Sequence, residues 1–190
     1  MLTMANEKNY VKMVTPMGKA MYSKVNTVID EFKGKRKYMI NVIITDPKEE
    51  AKLKADITKL YEDAQKSPQY KGKEWRARPR LGWKTNKETG VTQFQFWTYA
   101  FDKDENQKTV PVFTKYGEVI SQKSIGNGSD IKVSFTPSVY YESEDGNGVA
   151  LYLNQIVVYN LIEYTGGATA DFVFEEFVPD NTIPSEEIPF

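Results

Sequence analysis

The 190-residue chain has no cysteine and no histidine. Disulfide staples, zinc sites built on thiolate or imidazole, and every mechanism that needs an imidazole are therefore excluded. It has no Walker-type phosphate loop and no dinucleotide-binding glycine fingerprint. No apolar run approaches the roughly 20 residues that cross a bilayer, and no apolar stretch follows a basic start, so the expectation is a cytoplasmic protein with no membrane partner. Carboxylates do cluster, in Asp102-Lys103-Asp104-Glu105 and Glu142-Ser143-Glu144-Asp145. These runs sit in turns beside lysine or glycine and read as solvated groups rather than acid–base pairs. No enzyme, metal or cofactor is expected; a nuclease using carboxylate-bound magnesium is the enzymatic alternative.

Bases are missing from one end of the chain. All 25 Lys and Arg precede residue 133, where they face 16 acids for a balance of +9, whereas residues 133–190 carry ten acids and no base. A near-neutral total of −1 built from two opposed halves suits a nucleic-acid binder whose own acidic end competes for its basic surface. Simple neutralisation of the two halves within one compact fold is the plainer alternative.

What is present is mostly strand. Tyr38–Thr45 is β-branched and alternating, with Tyr38, Ile40, Val42 and Ile44 on one face. Met13–Val28 reads as a first strand bent around Gly18, and Asp46-Pro47 opens a helix over about 47–66 that Ser67-Pro68 stops. Residues 69–90 look irregular, and strands follow at Val91–Phe101, Val110–Thr114, Ile131–Thr136 and Val149–Tyr164, with another at Glu118–Ser121 as an option. The predicted fold is mainly β: a five-stranded Greek-key barrel of the oligonucleotide/oligosaccharide-binding (OB) type with one inserted helix. Residues 1–167 form the domain and 168–190 an acidic tail.

Three segments carry candidate chemistry. In Thr92–Phe101, alternation puts Phe94, Phe96, Thr98 and Ala100 on one side and Gln93, Gln95, Trp97, Tyr99 and Phe101 on the other, so both faces are aromatic. One face can be core; the second suits a stacking platform for bases, unless it too is covered by the helix or tail. Gln69–Lys84 carries six Lys or Arg against one acid, with Trp75, Arg76, Arg78, Arg80, Trp83 and Lys84 interleaving bases and indoles. The turn with Lys35, Arg36, Lys37 and Tyr38 is a weaker version of the same pattern. Gln95, Trp97 and Tyr99 join these residues as the candidate nucleic-acid surface.

The end of the chain is a fourth feature. Residues 171–190 hold six carboxylates, no base, and a terminus reading Glu186-Glu187-Ile188-Pro189-Phe190. Such a segment has too little apolar surface to offset its ordering entropy. It can plug a basic pocket on a partner or lie over a basic groove of its own protein.

Taken in order, Met17-Gly18-Lys19-Ala20, the strand–helix unit Lys37–Ala64, the Thr92–Ala100 strand, Gly126–Val133, Gly148–Ile156 and Gly166-Gly167 before the acidic tail resemble the single-stranded DNA-binding proteins of T-seven-like podoviruses. The resemblance implies an OB-type barrel with a helix over one end and a groove for single strands, in which Trp97 and Tyr99 match exposed groove positions. It implies a role in phage or prophage DNA replication, recombination or repair, protecting and annealing single strands, in an infected or lysogenic bacterial host cell. It also implies a tail that competes with DNA and docks replication proteins of the polymerase, helicase or primase type. A homodimer is a further partner state, although this tail is shorter and less acidic than in the best-known members. The competing reading is a β-rich virion or adhesin component.

Overall fold

The computed structural model describes residues 11–120, 124–142 and 146–163. Nine strands are present among them: β1 (Met13–Val14), β2 (Gly18–Lys24), β3 (Asp30–Phe32), β4 (Lys35–Ile44), β5 (Trp83–Thr85), β6 (Thr92–Tyr99), β7 (Val112–Thr114), β8 (Asp130–Glu142) and β9 (Gly146–Asn160). Helix α1 (Pro47–Gln65) lies between β4 and β6. Five strands close a ring, in which β2 pairs β4, β4 pairs β6, β6 pairs β9, β9 pairs β8, and β8 returns to β2. All of these pairings are antiparallel except β6–β9. This is the five-stranded OB-type barrel expected from the sequence. The short strands β1, β3, β5 and β7 extend it at the margins.

Alternation decides what lies inside. Tyr38, Ile40 and Val42 of β4 face Phe94 and Phe96 of β6, and all five are fully buried. Ile131, Val133 and Phe135 of β8 and Leu151 and Ile156 of β9 fill the rest of the barrel, with the Phe96 and Phe135 rings 5.0 Å apart. Helix α1 starts where Asp46 accepts from the backbone N–H groups of Lys48 and Glu49 and Pro47 takes the first helical position. It buries Leu53, Ile57 and Tyr61 at helical spacing against β4, β8 and β9. Lys54 Nζ ties the helix to the sheet through the Thr92 hydroxyl at 2.8 Å. No helix among the described residues is long and apolar enough to cross a membrane.

Several boundaries differ from expectation. The first strand is two strands, because Pro16 cannot donate to a ladder and separates β1 from β2. The bend falls at Tyr22, where φ is +51° and the pairing with β4 shifts register, rather than at Gly18. Strand β8 runs to Glu142, past Pro137, which pairs opposite Leu151. At that level β9 is the only described partner of β8, so the missing N–H faces an open edge. Of the optional strand at Glu118–Ser121, the described residues Glu118–Ile120 form a single bridge, from Val119 to Phe113, and Ser121 lies outside the described residues. The boundary near residue 167 and the acidic tail, including Glu186, Glu187, Ile188, Pro189 and Phe190, lie outside the described residues.

The seam between β6 and β9 is filled by the segment leading into β5. Residues Trp97 and Tyr152 pair directly, while towards the other end of the seam Arg80 inserts beside Gly148. Its N–H donates to Asn147 O, its carbonyl accepts from Val149 N at 2.8 Å, and Gly82 O accepts from Gln95 N at 2.8 Å. This path needs two glycines. A Cβ at Gly148 would lie 1.9 Å from Arg80 O, and Gly82 sits at φ +88° against Leu151.

Candidate nucleic-acid interface

The outward positions of β4, β6 and β9 form the site. Register sets Lys37 opposite Tyr99, Met39 opposite Trp97 and Asn41 opposite Gln95, and opposed residues share a face. Trp97 in turn pairs with Tyr152 of β9. Three aromatic rings therefore meet on the outside of the barrel: Trp97 and Tyr99 are 5.3 Å apart and edge-on, and Trp97 and Tyr152 are 4.8 Å apart and tilted. Tyr99 is 46% exposed. The second aromatic face of the Thr92–Phe101 strand is thus an open surface at its centre, and it closes towards Gln93, which is buried against Asn41 Nδ2 at 3.0 Å.

Lys37 supplies the charge. Its ammonium stands 3.6 Å from the centroid of the Trp97 ring and 5.8 Å from that of Tyr99. Partial burial lowers its pKa from the ordinary lysine value, nearby Lys35 lowers it further, and Asp30 works the other way. A cation short of solvent beside a π surface is favourably placed for an anion that restores its solvation. On the same face Lys84 of β5 is exposed opposite Gln93, and Lys35 is exposed two residues beyond Lys37. The face offers stacking rings flanked by ammonium groups, which is the equipment for binding a single strand without reading its sequence.

Other sequence candidates fall elsewhere. Tyr38 is not a surface ring: it is fully buried, and its hydroxyl donates to Lys108 O at 2.9 Å while accepting from Gln107 Nε2. The basic turn looked like one unit in sequence, but alternation sends Tyr38 into the core and Lys37 outward. Arg36 has the parity of Tyr38 and is already engaged, 2.5 Å from Glu105 Oε2 and stacked 3.8 Å from the centroid of Phe101. Both indoles of the basic loop are half-buried against other rings. Trp83 is half-buried on Phe94, with ring centroids 5.7 Å apart. Trp75 packs edge-on against Tyr61, Tyr70 and Tyr141 at 5.0–5.2 Å. Their bulk is more valuable as anchorage for an otherwise irregular loop.

The loop arginines are exposed. Arg76 lies against Gly146, Arg78 is in the open part of the loop, and Arg80 borders the β6–β9 seam. Gly148, beside Arg80, and Tyr152 are four residues apart on β9, roughly 13 Å along the strand. Tyr152 was missed as a site residue. The signal was present in the alternation of Val149, Leu151 and Leu153 with Ala150, Tyr152 and Asn154, which assigns Tyr152 to the outside.

No known protein family and no curated protein matches the chain by sequence. Its likeness is to solved structures. A single-stranded DNA-binding protein encoded by bacteriophage T7 is 21% identical with a TM-score of 0.66, over 92% of this chain and 98% of that one. A single-stranded DNA-binding protein from bacteriophage Enc34, solved in complex with single-stranded DNA, is 15% identical with a TM-score of 0.60, over 82% of this chain and 89% of that one. A further structure of the Enc34 protein gives 14% identity and a TM-score of 0.59, over 85% and 89%. The described barrel, with its helix between the second and third strands of the ring, therefore has the fold of these phage proteins.

Proposed function

We propose that the protein is a single-stranded DNA-binding protein of the phage type, serving replication or recombination and holding DNA by stacking and phosphate contacts rather than by base-specific readout. The observation that carries this reading is the outward cluster of Trp97, Tyr99 and Tyr152 with the Lys37 ammonium over the Trp97 ring. Solvent-facing rings on a barrel wall need a reason, and bases supply one because every base has a π face. The shared fold with phage proteins that bind single-stranded DNA supports the same reading. On this reading Lys35, Lys37, Lys84, Arg76, Arg78 and Arg80 contact phosphates. The six carboxylates of residues 171–190 compete with DNA for them, and Phe190 anchors the tail on a replication partner.

Quenching of tryptophan fluorescence by oligo-dT, and by oligo-U in parallel, across a salt series tests the proposal. Binding is expected to weaken linearly in log–log with salt, by about 0.7 for each phosphate neutralised on a single strand. A virion or adhesin component would show no salt-sensitive binding of either oligonucleotide, and that result would overturn the proposal.

A further inference from the structure

The binding face does not end with the barrel. Among the described residues strand β3 pairs with β4 alone, through Asp30 opposite Lys37, Glu31 opposite Arg36 and Phe32 opposite Lys35. The last pair between β4 and β6 is Lys37 with Tyr99, so at Lys35 the β3–β4 hairpin runs on beyond the β6 pairing as a two-stranded ribbon. Its turn is Lys33-Gly34, both at positive φ (+49° and +72°), the signature of a type I′ hairpin turn that fixes the strand register. Because opposed residues share a face, Phe32 stands on the side of Lys35, Lys37, Tyr99 and Trp97. It is 68% exposed, and the Lys33 ammonium lies 5.4 Å from its ring centroid.

Resting on the function proposed above, we infer that Phe32 is a further stacking residue, which continues the single-strand path from the barrel onto the hairpin. Three features point to DNA rather than to a protein partner. The Lys33 ammonium lies over the ring, Lys35 is its cross-strand partner, and Lys37 follows on the same face, which favours a polyanion. Asp30, the acid on this side of the ribbon, is already paired with Lys24 at 2.5 Å, so the patch keeps its sign. The ring also continues the face of the Trp97–Tyr99 cluster: the Phe32–Lys35 pair lies one two-residue step, roughly 7 Å, beyond the Lys37–Tyr99 pair, with Phe32 two strands across from β6, roughly 10 Å sideways over β4. A strand lying on the first two rings reaches the third by crossing β4 diagonally, past Lys37 and Lys35.

The test is an oligo-dT length series with the intact chain, comparing the unaltered protein with Phe32→Ala, Phe32→Trp and Trp97→Ala. Phe32→Ala is expected to leave the thermal melt unchanged and to leave the affinity for the shortest oligonucleotides unchanged. For oligonucleotides long enough to reach the hairpin it is expected to weaken binding by about tenfold or more, the loss of one stacked base. Phe32→Trp is expected to restore that affinity and to add a fluorescence signal quenched by the long oligonucleotides alone. If Phe32→Ala binds like the unaltered protein at every length while Trp97→Ala is weakened, the site stops at the barrel and the inference is overturned. If Phe32→Ala instead changes only the sedimentation of the DNA-free protein, the ring is a self-association contact, which overturns it equally. If the unaltered protein binds no oligonucleotide, the proposed function itself fails, a result distinct from either of these.

Discussion

Trp97 joins three neighbours of the outer face. It receives Lys37 on its face, Tyr99 on its edge and Tyr152 from the neighbouring strand. Tyr99→Ala is expected to cost about 1–3 kcal/mol of single-strand affinity with no change in the melt, because the ring is half exposed and buries little on folding. Trp97→Ala is expected to cost a similar amount of affinity together with a modest drop in melting temperature, since its partners lose their packing. Fluorescence titration beside calorimetry separates the two contributions. Lys37 adds a pH dependence. Its pKa is lowered in the free protein, and a bound phosphate favours the charged form and raises it, so binding takes up a proton. Affinity is therefore expected to fall as pH rises through the lowered lysine pKa, and Lys37→Gln is expected to abolish that fall and reduce the salt slope by about 0.7. An alkaline pH series that is equally steep in both proteins would remove Lys37 from the interface.

At the scale of elements, the barrel depends on how Arg80 closes the β6–β9 seam. Gly148→Ala places a methyl group against the Arg80 carbonyl, where only backbone movement can relieve the contact. It is expected to destabilise the fold by about 1–3 kcal/mol, as overpacking does, and to weaken DNA binding as Tyr152 moves off Trp97. The urea midpoint reads the first effect and oligo-dT titration the second. Asp46→Ala, which removes only the α1 cap, is expected to cost about 1 kcal/mol of stability and leave DNA affinity unchanged. Helix and core strands were legible in the sequence because each carries its own signal: the Asp46-Pro47 start, the 3.6-residue spacing of Leu53, Ile57 and Tyr61, and the period of two in Tyr38–Ile44 and Thr92–Ala100. The seam was not. Residues 69–82 show no periodicity; Trp75 packs the segment onto Tyr61, Tyr70 and Tyr141, and its end pairs through Arg80 and Gly82 with β9 and β6, a long-range contact that leaves only Gly82 and Gly148 as marks. The same gap explains the site assignments. Trp97, Tyr99 and Gln95 could be placed by alternation within one strand, whereas Trp75 and Trp83 sat in a segment with no period from which to read a face.

For the whole molecule, the uneven charge is the dominant feature. Removing residues 171–190 takes six carboxylates from a chain of net charge −1 and leaves +5. If that segment occupies the Lys37–Arg80 surface in the free protein, DNA must displace it, and the apparent affinity falls by the fraction of molecules with an open site. Truncation after Asp171's predecessor, Ala170, is therefore expected to tighten binding, most at low salt where the competition is least screened. Deleting Phe190 alone keeps all six side-chain charges and is expected to leave DNA affinity unchanged while weakening capture of a polymerase- or helicase-type partner. Identical affinities for full-length and truncated protein from low to high salt would confine the tail to partner docking.

The function rests on the claim that the outer face of β4, β6 and β9 binds single-stranded DNA by stacking. The most direct measurement is an oligo-dT titration of the intact protein and of Trp97→Ala over one salt series, with the folded fraction of each fixed by circular dichroism. The expected result is salt-dependent binding by both proteins, with parallel log–log slopes and the variant weaker by about 1–3 kcal/mol at every salt concentration. Equal affinity of the folded variant and the unaltered protein across the series would contradict the claim, and would leave Trp97 as packing between strands.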